Sequence, residues 1–180
     1  ALLAEDCDFR RCARKAQEEM ISLWGCETEK RRIYEALWLK RACQDSGIRH
    51  LHTHFAGLAA RTVFWLHRLG GPTYSVTAHA NDIFRDEPPE RLAQVLGGAA
   101  CVITVSDFSC NFLLQNHPHL AGKLHRVYNG IDLTRFSKSA FPEGRPLIVS
   151  VGRAIEKKGF GDLIAACALL EGVDFECVII

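Results

Sequence analysis

Short runs of apolar residues alternate along this chain with longer stretches in which apolar and polar residues recur at a helical period. Runs of about four to eight apolar and β-branched residues predict buried strands, and the amphipathic stretches between them predict helices. The predicted strands are residues 48–55, 73–77, 99–105, 124–128, 147–151 and 175–180. The predicted helices are residues 27–45, 58–69, 88–96 and 107–115, with one more that begins at about Glu156.

This alternation predicts an α/β fold built from parallel sheets with helices on both faces. The pattern dissolves into polar residues between 132 and 145, which we interpret as a domain boundary. We predict a first domain over residues 1–138, a link over 139–145 and the first βαβ unit of a second, truncated domain over 146–180, because two strands and one helix cannot bury a core alone. The first six residues read as the interior of a helix and the last six as a strand, so we interpret the chain as the central fragment of a longer protein.

Composition excludes some classes of partner. Of the 180 residues, 48% are apolar and 24% are charged, and the net charge of +1 lacks the basic excess of a nucleic-acid-binding protein. Eight cysteines form no CxxC pair, which favours reduced thiols in a cytoplasmic protein. We find no signal-peptide pattern and no apolar run of about 18 residues. The cluster Lys30-Arg31-Arg32 beside Tyr34 and Trp38 is compatible with peripheral association at the inner face of the membrane, and a plain amphipathic helix is the alternative.

The strongest chemical signal lies in residues 146–159, which read Pro-Leu-Ile-Val-Ser-Val-Gly-Arg-Ala-Ile-Glu-Lys-Lys-Gly. An apolar strand ends at Gly152, and Arg153 and Lys158 follow as a helical pattern begins. Free backbone N–H groups at a helix start attract anions, and an arginine adds donors that match phosphate oxygens. Two cations at such a turn would suit a diphosphate. The alternative is an ordinary turn with solvated charges.

Three histidines alternate along one predicted strand. His50, His52 and His54 would share a face of the sheet, where three imidazoles could bind a transition metal. An HxH pair at a strand end also suits a hydrolase that activates water on zinc. No partner acids or further histidine cluster complete such a site, so we predict no metal, and one of these histidines, or none, would be functional.

Polar side chains also follow the predicted strands at their carboxyl ends, where doubly wound sheets form their clefts. His79 comes just after one strand, with Asn81 and Asp82 where a helix starts. His79 could donate a hydrogen bond to a phosphate or a sugar hydroxyl, or the segment could be only a capping turn. Ser106 and Asn129 follow the next two strands, where an N-cap accounts for the first and a tight turn for the second. No GxSxG, HExxH or Walker A sequence supports another enzyme class.

Five segments, in this order, resemble the retaining glycosyltransferase family 4, and within it the bacterial exopolysaccharide and colanic-acid-type transferases. They are His52-Thr-His-Phe-Ala56, Thr77-Ala-His-Ala-Asn-Asp-Ile-Phe84, Val105-Ser106, Tyr128-Asn-Gly-Ile-Asp132, and Ser150-Val-Gly-Arg153 with Lys158-Gly159. The resemblance covers about residues 48 to 180. It implies a GT-B fold, in which two Rossmann-like domains face each other across a cleft, with the acceptor-side domain first and the donor-side domain second.

The resemblance also implies a reaction and its residues. The reaction is transfer, with retention, of a sugar from a nucleotide-diphosphate-sugar to a glycan or lipid-linked acceptor in polysaccharide biosynthesis, without a metal or other cofactor. Arg153 and Lys158 would hold the donor diphosphate, and His79 would face the reacting sugar. The further substrate-binding residues implied are His54, Asn81, Asp82, Ser106, Asn129 and Gly152.

Two residues depart from the family pattern: Ala80 stands where glycine is frequent, and Ala154 where a larger apolar residue is common. The glycine-rich loop and the later pair of glutamates that the family uses lie outside these residues, so we expect the fragment alone to be inactive. The residues leave two other interpretations open. One is a non-catalytic Rossmann-like module that binds a nucleotide or sugar phosphate, and the other is a zinc-dependent hydrolase that uses His52 and His54.

Overall fold

The computed structural model describes three stretches of the chain, residues 7–25, 29–137 and 144–180, and of Cys7 and Asp8 it describes only the backbone. The chain divides into two compact units, with the division between Gly130 and Ile131. Residues 139–143 of the predicted link lie outside the described residues.

Helices and strands alternate through the first unit. The helices are α1 (Cys7–Trp24), α2 (Lys30–Asp45), α3 (Leu58–Arg68), α4 (Asn81–Phe84), α5 (Pro89–Gly98) and α6 (Asp107–Asn116). The strands are β1 (His50–His54), β2 (Thr73–Ala78), β3 (Cys101–Thr104) and β4 (Leu124–Arg126), and a 3₁₀ turn (Pro118–Leu120) precedes the last. These elements confirm the strands and helices predicted between residues 48 and 128, with ends that move by no more than two residues. The helix predicted over 27–45 is present as α2, and residues 27 and 28 lie outside the described residues.

The four strands form one parallel sheet in the order β1-β2-β3-β4. In the register, His54 of β1 lies opposite Thr77 of β2. Parallel strands that neighbour each other in chain order are joined by right-handed crossovers, which put the connecting helices on one face of the sheet. Tyr74 of β2 marks this face, since its hydroxyl donates to the carbonyl of Val95 in α5 and its ring lies 5.9 Å from that of His67 in α3.

The core lies between this face and the helices that cover it. Val76 of β2, Trp65 of α3 and Leu96 of α5 are fully buried there. Helix α1 adds to the same core through Trp24, whose ring stacks on Phe64 at 5.6 Å and meets the edge of Trp65 at 5.2 Å. Burial of such large aromatic surfaces is the main force that holds the unit together.

The opposite face of β1 carries His50, His52 and His54, which are all exposed. The expectation that helices cover both faces is therefore not met at β1 among the described residues. The reason is topological, because successive crossovers of the same hand between neighbouring strands place their helices on the same side. This leaves a polar histidine face beside the carboxyl end of the sheet.

The second unit is a βαβ unit, as predicted. Strands β5 (Leu147–Ser150) and β6 (Glu176–Ile179) pair in parallel, and α7 (Phe160–Ala168) connects them. The α-helix predicted from about Glu156 is wrong in its start, because Glu156–Lys158 is a 3₁₀ turn and Gly159 takes a left-handed φ of 68° that interrupts the helix. No residue between 144 and 180 is buried, as expected for one helix on two strands.

Candidate active site

Two histidines meet at the carboxyl ends of β1 and β2. His54 is the last residue of β1, and His79 directly follows β2. His54 Nδ1 lies 3.1 Å from His79 Nε2, and the two rings are stacked with their centroids 5.4 Å apart. The ring of Phe55 lies 4.6 Å from that of His79. The parallel register therefore brings together two of the predicted site residues that are 25 positions apart in the chain.

The bond between His54 and His79 needs a proton on only one of the two facing nitrogens. A neutral imidazole has one N–H donor and one acceptor nitrogen, so either ring can donate to the other. If both rings were fully protonated, two N–H groups would face each other and the bond would be lost. A hydrogen bond at this contact uses Nδ1 of His54 and Nε2 of His79, so Nε2 of His54 and Nδ1 of His79 are left to meet other groups. His54 is exposed and His79 is half-buried, so both can reach a ligand at the sheet edge.

A buried carboxylate accompanies this pair. Asp82 of α4 is only 5% exposed. Its oxygens accept hydrogen bonds from the backbone N–H of Ala56 at 2.7 Å, of Ala80 at 2.8 Å and of His79 at 3.2 Å. Asp82 thus faces the backbone, as in the capping turn left open by the sequence, whereas Asn81 beside it is exposed and its amide is available to a substrate.

The other histidines of β1 form a ladder with hydroxyl groups of β2. The ring nitrogens of His52 lie 2.8 Å from Ser75 Oγ and 3.0 Å from Thr77 Oγ1, and His50 lies 2.9 Å from the same Ser75 hydroxyl. Partial loss of water contact against β2, and then the neighbouring His54 and His50, lower the pKa of His52, which favours its neutral form. Within the described residues, no group of three or more His, Cys, Asp or Glu side chains is arranged to hold a metal. The zinc-hydrolase interpretation therefore finds no ligand set in this part of the chain.

Two more predicted site residues follow β3 and β4. Ser106 caps α6, because its Oγ accepts the backbone N–H of Ser109 at 3.1 Å, and this confirms the N-cap interpretation. Asn129 is exposed in a stretch, 127–132, that has no regular structure. The tight turn predicted at Asn129 is not formed, because residues 127–132 adopt no turn in the structure.

One polar cluster at this edge is absent from the sequence prediction. Arg126, the last residue of β4, contacts Asp107 with Nε at 2.7 Å from Oδ1, and the Tyr128 hydroxyl donates to Asp107 Oδ2 at 2.6 Å. The guanidinium of Arg126 lies 4.2 Å from the centre of the Tyr128 ring. The hydrogen bond to Asp107 raises the pKa of Tyr128. The rule that polar residues at strand ends reach the cleft could have found this cluster, since Arg126 ends a strand and Asp107 begins a helix.

In the second unit, Gly152 follows β5 and lies beside the side chains of Phe160 and Lys158. A Cβ atom at Gly152 would lie 3.6 Å from Cδ of Lys158, so the lysine stem packs beside this glycine. Arg153 comes next in the chain, and both cations are exposed at the same turn. A nearby cavity of about 450 Å³ is lined mainly by uncharged residues together with Glu156 and Asp162, and neither Arg153 nor Lys158 lines it. The predicted anion site corresponds to the exposed turn itself.

Comparison with known families decides the wider assignment. The model of Glycosyltransferase Family 4 matches residues 6–135, well over half of the chain. The chain belongs to glycosyltransferase family 4. No curated protein matches it. The matched segment of this glycosyltransferase contains the four-stranded sheet of the first unit, together with His54, His79 and Asp82.

Arg153 and Lys158 lie beyond the matched segment, which ends at residue 135. Their role in this glycosyltransferase, as donor-diphosphate ligands, stays a prediction based on the sequence pattern of the second unit. In the described part of the chain, no helix combines the length and the apolar character needed to cross a bilayer.

Proposed function

We propose that this glycosyltransferase moves a hexose from a nucleotide-diphosphate-sugar to a glycan or lipid-linked acceptor, with retention of the anomeric configuration. The proposal rests on the contact between His54 and His79 at the carboxyl edge of the sheet, inside the segment that matches the family. Parallel α/β sheets bind their ligands at this edge. We place the reaction in the cytoplasm, in the synthesis of an exopolysaccharide of the colanic-acid type.

The proposed reaction breaks the bond between the anomeric carbon of the sugar and an oxygen of the diphosphate. Negative charge develops on the diphosphate, and the sugar becomes cationic. Cations and N–H donors that are already in place where this charge develops lower the barrier. Arg153 and Lys158 are proposed to meet the diphosphate and so to replace a metal ion in this role.

His79 is proposed to hold the donor sugar. Its Nε2 is engaged by His54 and its ring lies beside Phe55, so the orientation of the imidazole is fixed before a substrate arrives. A fixed donor loses little entropy on binding and acts with full effect in the transition state. Nδ1 of His79 can then meet a sugar hydroxyl or a phosphate oxygen, and the exposed amide of Asn81 can meet a second hydroxyl.

The test is turnover, by the full-length protein, of a panel of UDP-, GDP- and dTDP-sugars in the presence of EDTA, with release of nucleoside diphosphate as the readout. We expect one donor to be turned over, faster when a suitable acceptor glycan is added. His79→Ala should lower kcat/KM by about 10²-fold, the order seen when one donor at a site of developing charge is removed. His125→Ala is the matched control, since His125 is an exposed histidine within β4, and it should leave the rate unchanged.

Equal losses in the His79→Ala and His125→Ala variants would contradict the assignment of the site to the ends of β1 and β2. A protein that binds a nucleotide-sugar stoichiometrically, yet turns over none of the panel with any acceptor, would instead support the non-catalytic module.

A further inference from the structure

One side chain connects the two loops that carry the candidate site. The first loop follows β1 and contains Phe55 and Ala56, and the second follows β2 and contains His79 and Ala80. Asp82 accepts a hydrogen bond from Ala56, which is 26 positions away in the chain, as well as from the two N–H groups of its own loop. Hydrogen bonds to an ionised acceptor are about twice as strong as neutral ones, and burial excludes water from competing for them.

The first loop has a backbone conformation that needs such support. Phe55 has a φ of 68°, in the left-handed region that a bulky residue rarely adopts, and it is the only described residue other than glycine with a positive φ. Its own N–H donates to the carbonyl of Thr77 at 2.8 Å, and the next N–H, that of Ala56, donates to Asp82. These two bonds hold the peptide groups on either side of the strained residue. Strain of this kind persists where surrounding contacts fix it, and it clusters at functional sites.

The strained conformation has a direct effect on the site. It turns the chain immediately after His54, so that the Phe55 ring lies 4.6 Å from His79 while His54 keeps its 3.1 Å contact with the same imidazole. The Phe55 side chain is left 57% exposed beside the histidine pair. Release of Ala56 from Asp82 would free Phe55 to relax toward negative φ and would separate the three rings.

We propose that Asp82 is the positioning residue of this site. Its carboxylate binds the two loops together, so that His54, His79 and Phe55 are assembled before a substrate binds. In this role Asp82 acts through the histidines and does not itself contact the sugar. The consequence for the rate rests on the proposed function, whereas the effect on the histidine pair does not.

The test compares Asp82→Asn with Asp86→Asn. Asparagine keeps the shape of the side chain but removes the charge and one acceptor oxygen, and Asp86 is an exposed aspartate of the same segment. In the free protein, ¹⁵N signals of the imidazole nitrogens should show the His54–His79 bond in the unmodified protein and in Asp86→Asn, but not in Asp82→Asn. Hydrogen exchange of the Ala56 and Ala80 amides should rise by about 10-fold or more in Asp82→Asn alone, because both donors lose a charged acceptor.

The kinetic readout separates positioning from contact with the substrate. We expect Asp82→Asn to lower kcat by about 10- to 100-fold, as small displacements of catalytic groups do, with the donor KM within about twofold of normal. A raised donor KM with unchanged kcat and unchanged histidine signals would show that Asp82 contacts the sugar directly, and this would overturn the proposal. If no donor is turned over, the proposed function fails, and the NMR and exchange data still decide the role of Asp82.

A measurement on the unmodified protein covers the case in which Asp82→Asn does not fold. A scalar coupling across the hydrogen bond, between the Ala56 amide nitrogen and the Asp82 carboxyl carbon, should be detectable in isotopically labelled protein. Its absence, with a normal coupling across backbone hydrogen bonds of the sheet, would refute the connection between the loops.

Discussion

Arg61 offers the sharpest prediction about what holds the site-bearing loops on the fold. This arginine of α3 is 8% exposed and lies between two carboxylates. Its Nη1 is 2.9 Å and 3.1 Å from the two oxygens of Glu87, which precedes α5, and its Nε is 3.3 Å from Glu29, which precedes α2. The Arg61–Glu87 pair fixes the far end of the segment that begins at His79. Arg61→Met keeps the apolar stem and removes the charge.

The expected loss of unfolding free energy depends on how many buried charges lose their partner. Removal of one partner from a buried ion pair costs about 3–5 kcal/mol of unfolding free energy. Arg61→Met leaves Glu29 without its partner and leaves Glu87 with only the more distant Arg91, whose Nη1 is 3.9 Å away, so we expect about 4–5 kcal/mol. Glu87→Gln leaves Arg61 paired with Glu29, so we expect about 3 kcal/mol or less. Arg31→Met is the matched control, because the Arg31 side chain is 80% exposed and its pair with Glu35 should contribute at most about 1 kcal/mol.

The loss of unfolding free energy in Arg61→Met should also depend on pH. Burial raises the pKa of Glu87, more than Arg61 and Arg91 lower it. Without Arg61, Glu87 should take up a proton even more readily in the folded state. A carboxyl group whose folded pKa is raised favours the folded state at low pH, and this contribution is lost as the pH rises through the folded pKa. The penalty of Arg61→Met should therefore be smaller at pH 5 than at pH 8.

Urea denaturation followed by tryptophan fluorescence is a suitable assay. The three tryptophans of the chain, Trp24, Trp38 and Trp65, all belong to the first unit, so the signal reports the unit that contains Arg61. The urea midpoint of unfolding should be highest for Arg31→Met, lower for Glu87→Gln and lowest for Arg61→Met. A loss for Arg61→Met no larger than that for Arg31→Met would refute the claim that this ion pair fixes the segment.

Two further predictions concern the second unit and the histidines. In the full-length protein, Arg153→Ala and Lys158→Ala should each lower kcat/KM for the donor by about 10²-fold, and the double variant should be less than additive because both cations meet one diphosphate. Normal nucleotide binding and turnover in Arg153→Ala would show that the turn is merely solvated. Burial lowers the pKa of His52 and of His117, with further lowering by neighbouring histidines, so the unfolded chain binds these protons more readily than the folded protein. The unfolding free energy should hold above the ordinary histidine pKa of about 6.5 and fall as the pH drops through the lowered pKa values of the folded protein. Urea midpoints at pH 7.5 and 5.5 should therefore differ less in a His52→Gln, His117→Gln double variant than in the unmodified protein.

The hydrophobic pattern predicts most of the strands. Strands β2, β3 and β5 are short runs of mainly apolar or β-branched residues, whereas β1 and β4 carry several polar residues and follow from their position between helical stretches. The helix predicted at the first six residues lies outside the described residues. The extent of α1 is not predicted, because its buried positions are the small or flexible residues Ala13, Ala16 and Met20, whose burial depends on distant partners. The start of α7 is misplaced for a local reason, since the left-handed turn at Gly159 precedes the helix. Glycine in a sequence does not reveal which sign its φ takes.

The sequence predicts which residues lie at the candidate site, but it does not predict the hydrogen bonds between them. His54 and His79 follow from the rule that polar side chains at the carboxyl ends of parallel strands reach the cleft. Their direct contact depends on the register of β1 and β2, which the sequence does not specify. The bond from Ala56 to Asp82 joins residues 26 positions apart and depends on the strained backbone at Phe55, so only a three-dimensional structure reveals it.

The central claim, a retaining sugar transfer at the edge that carries His54 and His79, is tested most directly by the anomeric configuration of the product. Time-resolved ¹H NMR can follow an α-linked nucleotide-sugar with the unmodified protein, His79→Ala and His125→Ala. We expect an α-linked product to appear first, at equal rates with the unmodified protein and His125→Ala, and about 10²-fold more slowly with His79→Ala. A β-linked first product, or equal rates in all three proteins, would contradict it.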